Sequence, residues 1–137
     1  MVQNIHATAI KIKSKTILLI GDSGSGKSDI ALRLIAEHNA KLISDDRVDV
    51  ANIKGRLRAT APKTIKNLIE VRGVGIIKVS CCTKGFVDMV VKMTSAPLIR
   101  MPSPSSICIS GVDLPLLELN PFEASATAKL LAALRLL

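Results

Sequence analysis

The spacing of apolar and polar positions changes several times along the chain, and each change marks a predicted element. Residues 5–13 alternate, with Ile10 and Ile12 on one face and Lys11 and Lys13 on the other, as in a strand. After Ser14-Lys15, Thr16-Ile17-Leu18-Leu19-Ile20 is a continuous apolar run, the mark of a strand covered on both sides, so a hairpin is predicted. From Lys27 to position 37 or 38, Ile30, Leu32, Leu34 and Ile35 ride on good helix formers. Asn39 is a C-terminal stop, and His38 suits the negative end of that helix. Residues 41–44 form a short apolar strand, and 48–53 and 56–61 form two more about Lys54-Gly55. Pro62 opens a predicted short helix over 63 to 68 or 69. Across 70–79, Gly73 and Gly75 let the backbone turn tightly before a strand.

The pattern then settles into a half-buried strand at 86–93, with Val87, Met89, Val91 and Met93 opposite Asp88 and Lys92. Residues 94–106 hold three prolines, four serines and Arg100 and form the longest loop. Short strands at 107–110 and 114–119 flank Gly111. Asn120-Pro121-Phe122-Glu123 supplies a cap, a first-turn proline and a third-position acid for a last helix reaching about Leu136. That helix is apolar nearly all round, so burial is expected, in this core or against another subunit.

Composition narrows the picture. A chain of 137 residues that is 48% hydrophobic reads as one folded domain over 1–137. With two Phe and no Tyr or Trp, its core is aliphatic. The net charge of +8 is dispersed rather than blocked, and the aromatics that stack bases are missing, which argues against nucleic acid and for an acidic partner or a phosphate site. No apolar run approaches the roughly 20 residues of a membrane span, and no secretory h-region opens the chain. Cys81, Cys82 and Cys108 lack metal spacing and read as buried reduced thiols, so a cytoplasmic setting without a membrane is expected.

One stretch carries chemistry outright. Gly21-Asp22-Ser23-Gly24-Ser25-Gly26-Lys27-Ser28 fits glycine, four residues, Gly-Lys-Ser/Thr, and it lies between a predicted buried strand and a predicted helix. That arrangement aims backbone N–H groups and a helix N-terminus at nucleotide phosphates. Lys27 would reach the β- and γ-phosphates, and Ser28 would ligate Mg²⁺. Asp45-Asp46 close the next strand, where such proteins place a metal-linked carboxylate; one acid can serve the metal and the other take a proton from a hydroxyl. On residues alone, His6 reads as a surface or structural histidine, Glu70 and Arg72 as a surface pair, and Asp49, Arg58 and Arg100 as solvated charges.

The Gly21–Ser28 loop, then Asp45-Asp46-Arg47-Val48-Asp49-Val50, then Glu70-Val71-Arg72-Gly73-Val74-Gly75-Ile76-Ile77 resemble, in this order, the motifs of the HPr kinase/phosphorylase catalytic domain. His6 falls where that family has a histidine. The likeness is close over 5–79, and Pro121-Phe122-Glu123-Ala124-Ser125-Ala126 looks similar to short proteobacterial forms. The resemblance implies an α/β, P-loop-containing catalytic domain with a mixed sheet, strand-rich hairpins and a few helices. It implies ATP and Mg²⁺ as cofactors and a seryl hydroxyl of the phosphocarrier HPr as acceptor, in a homo-oligomer, by family a hexamer. It casts Asp45 as general base, Asp46 beside it near the metal, Glu70 in the metal shell, Arg72 as support and His6 near the transferred phosphate. Regulation through the N-terminal domain of long relatives is not expected. The family's basic Gly-Arg loop is not found after residue 79, with Arg100 as a stand-in, so the kinase direction is expected over phosphorolysis.

Two other readings stand beside this one. A nucleotide-binding regulatory module would bind through the same loop with little turnover, and a small-molecule kinase is a third option. A GTPase switch is disfavoured, because no Asn-Lys-x-Asp sequence reads guanine. The acid pair and the 70–77 stretch favour the kinase, since a sensor needs no base facing a hydroxyl.

Overall fold

The computed structural model describes residues 1–63 and 67–137. The elements are, in order, β1 (Val2–Ile12), β2 (Lys15–Ile20), α1 (Lys27–His38), β3 (Lys41–Ser44), β4 (Arg47–Ile53), β5 (Arg56–Thr60), β6 (Leu68–Val71), β7 (Gly75–Lys78), β8 (Lys84–Met93), β9 (Ser105–Ile109), β10 (Val112–Leu119) and α2 (Ala126–Leu134). The long strands β1 and β8 are shared between two layers. One layer runs β3-β1-β2-β8-β10-β9 and the other β1-β4-β5-β8. β2 lies parallel to β8, and β8 parallel to β10, so the sheet is mixed. β6 and β7 form a separate antiparallel arm.

Alternation sorts the apolar side chains into two cores. Ala7, Ala9, Leu18, Val48, Val50, Leu57, Ala59 and Val90 fill the space between the layers. Ile10, Ile12, Ile17, Leu19, Met89 and Val91 face the other way, against Ile30, Leu34, Leu130 and Leu134 of the helices. The central strands are buried on both faces, as the unbroken run in β2 requires.

Several expectations hold. The β1–β2 hairpin forms, with Lys13 and Ser14 both at positive φ in its turn. α1 ends at Asn39, which is left-handed and donates its N–H to Leu34 O. Lys54 and Gly55 make the β4–β5 turn with positive φ at both residues.

Others are corrected. The short helix expected over 63 to 68 or 69 falls in part on residues 64–66, outside the described residues, and Leu68 and Ile69 belong to strand β6. β8 is not a simple half-buried strand: Thr16 pairs Val87 and Ile17 pairs Met89, leaving Asp88 as an extra residue. This bulge sends Val87 into the inter-layer core while Met89, Val91 and Met93 face the helices, and Asp88 Oδ2 accepts the Thr16 N–H at 2.9 Å. Arg58 is half-buried rather than solvated. Cys108 is exposed, and Cys81 and Cys82 are half-buried. The last helix starts at Ala126, not at Pro121; Asn120 Oδ1 accepts the Phe122 N–H at 3.0 Å in a turn that precedes it. α2 buries one side only, through Ala126, Thr127, Leu130 and Leu134, leaving Ala128 and Ala132 exposed.

Leu130 and Leu134 therefore belong to the monomer core. Leu130→Ala is expected to lower unfolding free energy by about 2–5 kcal/mol in urea titration. Leu136→Ala, beyond the helix and exposed, is expected to change it by less than about 0.5 kcal/mol.

Candidate active site

The acid pair sits at a break in one continuous ribbon. β3 and β4 both run antiparallel to β1 along the same edge, Ser44 opposite Ala9 and Arg47 opposite His6. Between them Asp45 and Asp46 leave the ladder, with Asp46 at φ 68 and its carbonyl accepting the Ala7 N–H at 3.1 Å. His6 and Thr8 are two apart on β1 and so share a face, the same face as Ile10 and Ile12 that meets α1. Each takes one carboxylate. His6 Nε2 lies 2.7 Å from Asp46 Oδ1, and Thr8 Oγ1 donates to Asp45 Oδ1 at 3.0 Å. The Thr8 hydroxyl also accepts the Asp46 N–H at 3.1 Å.

The two acids differ sharply in setting. Asp45 is 8% exposed and is satisfied from three directions: by Thr8, by Ser28 Oγ at 2.7 Å and by the Glu70 N–H at 3.3 Å. The Asp46 side chain is 62% exposed and holds His6.

The glycine loop joins β2 to α1. Gly21, Gly24 and Gly26 all have positive φ, and a Cβ on Gly26 would lie 2.6 Å from the Pro121 ring. Ser25 donates its N–H to Asp22 O at 3.0 Å, while its hydroxyl is buried with no hydrogen-bond partner. Lys27 is 5% exposed, and its ammonium donates to the carbonyls of Gly21 at 2.8 Å and Asp22 at 3.0 Å. Burial lowers its pKa below the usual lysine value, opposed by the charges of Asp46, Asp45 and Asp22.

The β6–β7 arm closes the site from the third side. Ile69 is buried in the helix-side core, and Glu70 offers its backbone N–H to Asp45. No Glu70–Arg72 ion pair forms among the described residues; the Arg72 guanidinium instead comes within 3.9 Å of where a Gly24 side chain would begin. Val74 and Ile76 are exposed at the tip of the arm. Arg100 lies exposed on the loop after β8. Most of the residues gathered here are legible in the sequence; Thr8 is not. The signal for it was its place two residues after His6 on a strand.

Comparisons bear on what this arrangement is. Residues 1–95 match the family model described as HPr Serine kinase C-terminal domain. The chain belongs to this family. An HPr kinase/phosphorylase of Limosilactobacillus reuteri (strain DSM 20016) is 44% identical over 79 residues, 57% of this chain and 24% of the relative. That of Mycoplasmopsis pulmonis (strain UAB CTIP) is 44% identical over 75 residues, 55% of this chain and 24% of the relative. The match thus spans about a quarter of the length of these curated relatives. Over the whole fold, the chain superposes on the structure of the Hpr(Ser) kinase/phosphatase from Coxiella burnetii with a TM-score of 0.85 at 22% identity, covering 97% of this chain and 94% of that one.

The donor set fits a magnesium nucleotide. Ser28 Oγ and Asp45 are hard oxygen donors already side by side, and Mg²⁺ usually takes one or two carboxylates and completes its shell with phosphates and water. The buried Ser25 hydroxyl and the Lys27 ammonium are donors suited to phosphate oxygens.

The lowered pKa of Lys27 has a sign. Because the folded state holds this proton less tightly than the unfolded one, the ammonium costs stability at neutral pH, and that cost fades as pH rises through the folded pKa. Melting curves from pH 7 to 10 should therefore show wild type gaining on Lys27→Met as pH rises. A constant difference would mean the ammonium is not desolvated.

Proposed function

We propose that this chain carries the catalytic site of an ATP-dependent protein serine kinase that phosphorylates a seryl residue of HPr. The supporting observation is the Ser28–Asp45 contact, which joins the start of α1 to the acid pair and leaves Asp46 and His6 facing outward beside it. The relatives' names supply the acceptor. The loop amides of Gly21, Asp22, Ser23, Gly24 and Gly26, with the Ser25 hydroxyl and Lys27, would cradle the phosphates as a P-loop. Ser28 and an aspartate of the pair would hold Mg²⁺, which would supply charge neutralisation for the phosphoryl group in transfer. The seryl oxygen attacks the γ-phosphorus, the bond to the β,γ-bridging oxygen breaks, ADP leaves, and a carboxylate takes the hydroxyl proton. Arg72, beside Gly24, supports the transferred group, with Glu70 at the rim of the metal shell.

The family resemblance makes Asp45 the base and puts Asp46 by the metal. The hydrogen bonds favour the reverse division: Asp45 is already committed to Ser28, whereas Asp46 is open to an incoming hydroxyl and is oriented by His6. A cytoplasmic homo-oligomer, with phosphorolysis as the reverse reaction, completes the proposal. The competing reading, a nucleotide-binding module with little turnover, draws on the same loop.

Purified protein, Mg²⁺, ATP and HPr should add one phosphate to HPr, read by mass, and Lys27→Ala should add none. Intact ATP binding without transfer by wild type would favour the module. Asp46→Asn should cut transfer by about 100-fold or more, the scale of a lost general base, while keeping the Mg²⁺ dependence of ATP affinity; Asp45→Asn should lose that dependence. The opposite pattern would restore Asp45 as the base.

A further inference from the structure

The two phenylalanines have opposite environments. Phe86 is half-buried, with the Arg56 guanidinium 4.2 Å over its ring. Phe122 is 71% exposed. An exposed aromatic is conspicuous in a chain that otherwise uses none on its surface, and its position is fixed by its neighbours. Pro121 is buried against Gly26, where a Cβ would come within 2.6–2.7 Å of its ring. Its carbonyl accepts from Arg33 Nη2 at 2.8 Å, and the same nitrogen is held by Asp29 at 2.6 Å. The Phe122 N–H is tied to Asn120 Oδ1. Glu123, the next residue, is neutralised by Lys129 at 2.7 Å. The turn over 120–123 is therefore bolted to the N-terminal half of α1 and the glycine before it rather than free.

The topology explains why this matters. β2, β8 and β10 are parallel, so the glycine loop after β2 and the Phe122 turn after β10 emerge at the same end of the sheet. Ligands of such sheets bind outside the carboxyl ends of the strands. A nucleotide whose phosphates lie on the loop amides must send its base away from Lys27, and Phe122 stands one residue beyond the proline that touches the loop. We propose that the Phe122 ring is the platform on which the base of a nucleoside triphosphate stacks, an assignment that rests on the nucleotide reading above. Stacking uses the π-face that every base has, so an unpaired phenyl ring suffices.

The chain contains no tryptophan, so Phe122→Trp creates a single indole reporter. Its emission should change on titration with Mg²⁺-ATP and stay constant with inorganic tripolyphosphate. By calorimetry, Phe122→Ala and Phe122→Leu should bind ATP about tenfold or more weakly, as expected for one lost stack, yet bind tripolyphosphate within about twofold of wild type. ATP affinity unchanged in both variants would overturn the platform while leaving the nucleotide reading intact. That result with a lowered solution mass would assign Phe122 to a subunit contact. Wild type that binds neither ATP nor tripolyphosphate would overturn the nucleotide reading, and the platform with it.

Discussion

A carboxylate cannot be buried without partners, and Asp45 is where this fold meets that demand. Its partners come from three separate elements: the Thr8 hydroxyl from β1, the Ser28 hydroxyl from the first turn of α1 and the Glu70 N–H from the β6–β7 arm. Satisfying one side chain thus sets the mutual position of the glycine loop, the acid pair and the arm. Removing the carboxylate charge would loosen all three at once, because each contact is a charge-assisted hydrogen bond, stronger than a neutral one. A residue that orders the site in this way is poorly placed to give up its contacts during a proton transfer, which is the physical ground for proposing Asp46 for that step.

The ribbon geometry prepares this arrangement. Had β3 and β4 formed one uninterrupted strand, residues 45 and 46 would point to opposite faces of the sheet. The break, with Asp46 left-handed, brings both carboxylates to the face of His6 and Thr8. That face is the helix side, where β2 delivers the glycine loop. The break also takes its backbone groups out of the regular ladder, and the structure answers with specific substitutes: Ala7 N–H to Asp46 O, Arg47 N–H to Asp45 O and Ser44 Oγ to Arg47 O.

What the sequence revealed was local. The glycine loop, α1 and its Asn39 stop depend on neighbours within a few residues, and they read correctly. The turns at Lys54-Gly55 and Gly111 did so for the same reason. The errors lie where distant chain decides. Val87 and Met89 are two apart and look like one face, but the Asp88 bulge forms only because β8 must leave β5 and join β2, which nothing near residue 88 announces. Asn120-Pro121 has every mark of a helix start, yet the packing of Pro121 on Gly26 and the Arg33 bond to its carbonyl stabilise a turn instead. Leu68 and Ile69 became a strand because Ile69 finds burial in the helix-side core. Thr8 was invisible as a site residue, since its role depends on meeting a carboxylate 37 positions away.

Lys27 shows the cost of the arrangement. Its ammonium is held on two loop carbonyls, shielded from water, with three aspartates near enough to offset part of the burial. A group placed this way is worse off than on the surface until more negative charge arrives. The Ser25 hydroxyl, buried with no partner, is a second such debt in the same loop. Both are donors, and both lie on one short segment between a buried strand and a helix N-terminus. An anion with several oxygens would relieve both. Burial of these two donors is therefore a cost in the free protein that an anion bound there would offset.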